Sequence, residues 1–255
     1  MELTLAHILL LGLIVFVTQT LEGVTGFGST VLALPFAAML LPLGMIVPVL
    51  ATHTLLLAVY IVVVSWKHIV WKEFGFIALH VSLGLPIGYM LFKNLDDTYL
   101  KGLLALFMIG VAVHGIRMTR LGHNQTAASA VPAKKSPLMR LILFLGGIIH
   151  GAFATGGPFV VIYASRALKD KTLFRVSICL LWLCMNSVLL VIWIASGDWT
   201  RETNELLLVS LPFLLLGIFV GDYLHHRASE YLFRLIVYGV LAVSGAVLMF
   251  DVMRS

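Results

Sequence analysis

Ten stretches of almost uninterrupted apolar residues leave this chain few ways to fold. They cover approximately residues 4–22, 29–43, 46–65, 74–92, 99–118, 140–153, 157–166, 172–196, 205–224 and 232–251. Several approach the roughly 17–25 residues that a helix needs to cross a bilayer. Lipid offers no partner to a free backbone N–H or C=O, so only helices and closed barrels persist there. The runs are continuous rather than alternating, which selects helices. Composition agrees, since 11% of the 255 residues are charged, against about a quarter in a soluble domain. The expected fold is an all-α integral membrane protein with about eight transmembrane helices by hydropathy.

A net charge of +5 would suit a nucleic-acid partner, but the basic residues sit in short loops between apolar runs, which reads as topology. With segments alternating sides, Lys67, Lys72, Arg117, Arg120, Lys134, Lys135, Arg140, Arg166, Lys169, Lys171, Arg175, Arg227 and Arg234 share one face. Lys93, Lys101, Arg201 and Arg254 share the other. The first face is therefore expected to be cytoplasmic, with both termini outside and the chain multi-pass in the cell (inner) membrane. Trp66 and Trp71 near one surface and Trp199 near the other fit interfacial belts. Cys179 and Cys184 lie in one apolar run and read as core rather than as a metal motif. The start, Met1-Glu2-Leu3-Thr4, lacks the basic region of a cleavable signal, so the first segment is expected to remain.

Segment lengths differ informatively. At 1.5 Å per residue, 140–153 and 157–166 make helices of about 21 and 15 Å, short of a core of about 30 Å. They predict a hairpin that enters from the cytoplasm, turns near mid-membrane and returns. The pair 4–22 and 29–43 holds the matching place, and whether each pair spans or re-enters is left open. One polar stretch, Arg120 to Pro137, divides the chain into a first repeat (1–118), a cytoplasmic linker (119–139) and a second repeat (140–255). Leu83-Gly84, Gly88 and Leu91 match Leu216-Gly217, Gly221 and Leu224, and Gly23 and Gly28 match Gly151 and Gly156. Five segments per half make the repeats inverted, an architecture of many secondary transporters with broken helices.

The first turn reads Glu22-Gly23-Val24-Thr25-Gly26-Phe27-Gly28-Ser29-Thr30, the second His150-Gly151-Ala152-Phe153-Ala154-Thr155-Gly156-Gly157-Pro158. Glycine permits positive φ and close approach of backbone to a ligand. Ser29, Thr30 and Thr155 are N-cap types, and Pro158 suits a first helical turn. Each turn thus opens a half-helix whose free N–H groups and positive dipole end make an anion site. The alternative is that these glycines serve only close helix packing, as Gly84/Gly88 and Gly217/Gly221 are expected to do.

These residues resemble the TauE/SafE sulfite exporters, also called the 4-toluene sulfonate uptake permease (TSUP) family. The resemblance rests on Gly23-Val24-Thr25-Gly26-Phe27-Gly28, on Gly151 to Pro158, and on length and two-half layout. It implies secondary transport of sulfite, sulfonates or other small anions. Ser29-Thr30 stands where the family often carries more glycines, which puts the exact substrate in doubt.

Polar residues inside a membrane are functional candidates. The expected substrate-binding set is Gln19, Thr25, Gly26, Phe27, Gly28, Ser29, Thr30, Thr155, Gly156, Gly157 and Asn186, with Glu22, His53 and His150 as candidates for a coupling proton. His80, His114 and Asp222 are expected nearer the cytoplasmic interface, where hydration suffices. No basic residue is expected deep in a span. No cofactor is implied, and the His spacing gives a metal site little support. The expected partners are a small-molecule anion and the lipid bilayer, not nucleic acid; a homo-oligomer is left open. The leading function is an anion exporter working by alternating access. Its alternatives are a proton-coupled importer of a sulfonate or carboxylate, a passive channel, or an intramembrane enzyme, for which no nucleophile–base or metal set is found.

Overall fold

A computed structural model describes residues 5–123 and 135–225, and of the C-terminal part residues 239, 242–243, 245–250 and 252–254. Every regular element among them is helical: α1 (Leu5–Thr25), α2 (Ser29–Ala38), α3 (Leu43–Ser65), a 3-10 turn (Trp66–His68), α4 (Trp71–Asn94), α5 (Asp97–His123), α6 (Pro137–Phe153), α7 (Gly157–Ala167), α8 (Lys171–Ser196) and α9 (Arg201–His225). Six helices among the described residues, α1, α3, α4, α5, α8 and α9, are long and apolar enough to cross a membrane. The expected tenth segment, 232–251, and most of the linker lie largely outside the described residues.

Local chemistry sets the boundaries. Ser136 caps α6 by accepting from the Met139 N–H, and Pro137 follows at the first position, where its missing N–H costs nothing. Asp170 caps α8 through the N–H groups of Thr172 and Leu173. Gly197, with φ 77°, ends α8 in the left-handed conformation. α6 has 17 residues rather than the expected 14. α2 and α7, with 10 and 11 residues, are too short to cross.

Large apolar side chains face outward along these helices, among them Leu13, Val63, Leu83, Val191, Ile194 and Phe219. Gln19, Glu22, Thr30, His53, Thr54, His150, Thr155 and Asn186 are buried. A water-soluble domain would reverse this pattern; here lipid is the outer solvent and polar groups turn inward. Trp66 and Trp71 are exposed at a helix end, as interfacial anchors are.

Helices meet where side chains are smallest. α4 packs along α6 and α1 along α9, while α3 packs against α8. Gly84 and Gly88 lie against the α6 backbone at Phe144, Gly147 and Ile148. Gly217 and Gly221 lie against α1 at Phe16, Gln19, Thr20 and Gly23. The packing role expected of these four glycines is thus borne out. Cys179 is buried and Cys184 half-buried, both as free thiols.

Candidate functional site

The α1–α2 and α6–α7 turns come together deep in the bundle. Between them lies a cavity lined by Glu22, Gly28, Thr30, Val31, Thr54, Ala154, Thr155, Gly157 and Trp182. The space open to the centre of a water-sized sphere is about 20 Å³, room for a water. Anything much larger than a water requires this lining to move apart.

In the first turn Gly26 (φ 83°) and Gly28 (φ 104°) adopt left-handed backbone, which glycine takes without steric penalty. The expected hydroxyl caps are corrected here. Gly28 itself occupies the N-cap of α2, with no side-chain cap bond, because the Ser29 hydroxyl turns to the Glu22 carboxylate instead. In the second turn Gly156, not Thr155, is the N-cap of α7, again with no side-chain cap bond. The left-handed residue there is Ala154 (φ 53°) rather than a glycine, a conformation costing an alanine roughly 1–2 kcal/mol. Its N–H bonds the His150 carbonyl at 2.7 Å, closing the end of α6.

The other expected residues divide by place. Gly28, Thr30, Thr155, Gly157 and Glu22 line the cavity. Ser29 is held to Glu22 beside it, and Phe27 packs edge-on against Phe174 at 6.1 Å. Gly26 offers its carbonyl to Trp182 Nε1 at 3.1 Å. His150 stacks on Trp182 at 5.1 Å, with Asn186 beside it on α8. Gly156 sits against the Gly146 backbone of α6. Thr25 spends its hydroxyl on the Leu21 and Phe27 carbonyls, at 2.9 and 2.8 Å. Gln19 faces α9 at Gly217 with its amide unpartnered. His53 pairs with Ser210 of α9 at 2.9 Å, outside the cavity lining.

Two expectations about charge change. Arg175, counted among loop cations, is 6% exposed and packs against Gly26. Asp222, expected to be merely hydrated, accepts from Arg175 Nη2 at 2.9 Å and from the Tyr60 hydroxyl at 3.1 Å. His225 donates from Nδ1 to the Val24 carbonyl at 2.6 Å. These contacts tie α3, α8 and α9 to the first turn. Trp182 and Thr54 also reach the site unforeseen, and no pattern within their apolar runs marks them. At the other ends of α4 and α8, Lys93 Nζ bonds Asp198 at 2.7 Å, and Tyr89 adds a hydrogen bond at 3.0 Å. Burial would raise the Asp198 carboxyl, but hydrogen bonds from Lys93, Ser196 and Tyr89 outweigh it and hold the group below the usual carboxylate range.

Asp222→Ala strands a buried guanidinium, and because Asp222 is partly exposed the expected loss of stability is about 1–3 kcal/mol. Glu205→Ala, which breaks the exposed Arg201 pair, should cost about 0–1 kcal/mol. Thermal unfolding of both variants in detergent checks the difference, and equal effects would show that the buried pair is no clamp.

Apolar helices around two broken hairpins, with polar groups turned to an internal cavity, define a multi-pass membrane protein of transporter type. The sequence matches the family described as "Sulfite exporter TauE/SafE" over residues 11–248. This chain belongs to the TauE/SafE sulfite exporter family, a family of transporters and not of enzymes. It is also 25% identical over 182 residues to "Probable inner membrane transporter protein TsaS" of Comamonas testosteroni, covering 71% of this chain and 73% of that protein. No solved structure matches.

Proposed function

We propose that this protein moves a small sulfur oxyanion or sulfonate across the inner membrane by alternating access, binding it where the N-termini of α2 and α7 meet. The observation that carries this reading is the cavity shared by the two turns. A helix N-terminus attracts an anion through free N–H groups and the positive dipole end. The Thr155 hydroxyl, 4% exposed, lines the cavity without a protein partner.

Two inverted repeats, 1–118 and 140–255 joined by a cytoplasmic linker, supply the second state. Several observations support the repeat. α1 lies on α9 as α6 lies on α4. A shift of 128 residues carries Glu22 to His150 and left-handed Gly26 to left-handed Ala154. The Arg175–Asp222–Tyr60 and Lys93–Asp198–Tyr89 clusters stand at opposite ends of α8, placed to close one mouth while the other opens.

Export is the first reading of direction, following the family's description and the inside-negative potential that favours anion exit. Proton-coupled import is the second, and the Glu22 carboxylate at the α2 N-terminus favours it. The test is thermal unfolding of purified protein with sulfite, thiosulfate, small sulfonates and carboxylates. An anion at 100 times its Kd should stabilise the fold by about 2.7 kcal/mol. A scan in which carboxylates stabilise and no sulfur oxyanion or sulfonate does would overturn the substrate class, and single-channel currents would overturn alternating access.

A further inference from the structure

The anion-binding end of α2 already has an anion on it. Oε2 of Glu22 accepts from the Ser29 N–H at 3.3 Å, from the Ser29 hydroxyl, and from Thr54 Oγ1 at 3.2 Å. Ser29 opens α2, so its N–H is among those the helix cannot pair internally. Thr54 Oγ1 also lies 3.0 Å from Ser29 Oγ and 3.1 Å from Thr30 Oγ1, giving a hydroxyl cluster around the same point. An oxyanion would seek this donor set, and a side-chain carboxylate fills it. Glu22 is 1% exposed and lines the cavity. Among the described residues no ion pair neutralises it, the nearby Arg175 being engaged by Asp222. Across the cavity the unpartnered Thr155 hydroxyl is a second, independent sign of a ligand.

Building on the anion site inferred above, we propose that Glu22 is a resident competitor for the α2 cradle, and that a substrate anion enters only as Glu22 takes up a proton. The balance is simple. Before binding, the cavity holds one carboxylate charge. Afterwards it holds a neutral carboxylic acid and the charge of a monovalent anion. One O–H bond forms on Glu22, the proton comes from the aqueous face to which the cavity has opened, and nothing is oxidised or reduced. Protonation also converts an acceptor to a donor, so the acid hydrogen-bonds the anion that replaces it. Without it, two anions would share a desolvated site and repel each other strongly.

Other titratable groups around Glu22 are engaged or differently placed. On α8, Cys179 directs its thiol to the Gly26 carbonyl and Arg175 pairs with Asp222 of α9. On α9, His225 bonds the Val24 carbonyl. On α3, Tyr60 bonds Asp222 and His53 bonds Ser210. On α6, His150 stacks on Trp182 beside Asn186 and is the alternative proton acceptor that the test must separate. A monovalent anion carried with one proton crosses as a neutral pair, on which the membrane potential does no work. Such coupling favours the second reading of direction, uptake driven by an acidic exterior, over potential-driven export.

The experiment counts protons taken up when sulfite or methanesulfonate is added to the full-length protein in weakly buffered detergent solution, against protein-free blanks. Methanesulfonate keeps a single charge throughout, so its pH dependence belongs to the protein. Its apparent Kd is expected to rise about tenfold per pH unit wherever one proton accompanies each anion. Glu22→Gln is expected to bind it with no proton uptake and a flat pH profile. Binding of methanesulfonate without proton uptake by the wild type, or proton uptake with methanesulfonate that persists in Glu22→Gln, overturns the proposal and leaves the anion site standing. If neither anion binds, the anion-site reading falls and this proposal with it. Should Glu22→Gln fail to fold, His150→Gln decides: proton uptake that persists there supports Glu22 as the acceptor, and uptake that disappears overturns the proposal.

Discussion

Gly157→Ala is expected to fold normally and to weaken anion binding roughly 5- to 150-fold, the equivalent of the about 1–3 kcal/mol that overpacking a filled space costs. A Cβ at position 157 would lie 3.6 Å from the Phe27 ring and 3.7 Å from Trp182, ordinary van der Waals distances. Backbone strain is absent too, since φ there is not positive. The methyl group enters a cavity of only about 20 Å³, so it takes the place an anion would need. Gly156→Ala, one residue earlier, is the contrasting control. Its Cβ would run into the Gly146 carbonyl oxygen and lie 2.8 Å from His150 Cβ, forcing the arms of the α6–α7 hairpin apart. That variant is expected to lose folded protein rather than affinity. Size-exclusion profiles and thermal unfolding in detergent separate the two, followed by anion titration of whichever folds. A folded Gly157→Ala that binds its anion as tightly as wild type would place the site elsewhere.

The contrast between these neighbouring glycines shows where the sequence is legible. Nine expected segments correspond to α1 through α9, because a run of apolar residues fixes helix and solvent together. The two turns are legible for a similar reason, since clustered glycines inside an apolar run have few uses. Which glycine faces the cavity and which faces backbone is not local information. Nor is the capping pattern: Ser29 is a good cap type by composition, yet Glu22, seven residues earlier, claims its hydroxyl. Arg175 and Asp222 look like ordinary loop-edge charges until α8 and α9 are packed on the first turn, where each supplies the other's partner. Ala154 takes the conformation a glycine would be expected to take, and only the comparison with Gly26 across the two halves hints at it. Separation in sequence sets the limit throughout. Contacts within one turn of helix can be inferred; those 47 to 162 residues apart, such as Arg175–Asp222 and Tyr60–Asp222, cannot.

The largest effect on stability should come from the α4–α6 seam. Gly88→Ala would set a Cβ against the Ile148 carbonyl oxygen, 2.8 Å from the Ala152 nitrogen, so the obstruction is backbone and no rotamer relieves it. Gly151→Ala meets the same obstacle from the other helix, at the Leu85 carbonyl and 2.9 Å from the Tyr89 nitrogen. Within lipid there is no hydrophobic gain to offset a gap between helices, because the tails are as apolar as the side chains. Contact itself is what holds the pair, so each substitution is expected to cost about 3 kcal/mol or more, the top of the overpacking range. The equivalent change on the α1–α9 seam, Gly221→Ala, brings a Cβ to 2.7 Å from the Thr20 carbonyl oxygen, still too close but less severely. It should cost less than Gly88→Ala. Gly75→Ala on α4, whose Cβ meets nothing within 4 Å, should be neutral or slightly stabilising by helix propensity. Thermal unfolding in one detergent, with the four variants side by side, tests the order Gly88 and Gly151 worst, Gly221 intermediate, Gly75 unaffected. If Gly88→Ala unfolds no earlier than Gly75→Ala, α4 and α6 are not in direct backbone contact. The second hairpin would then be held by the α7 contacts alone, too few to present its N-terminus to an anion.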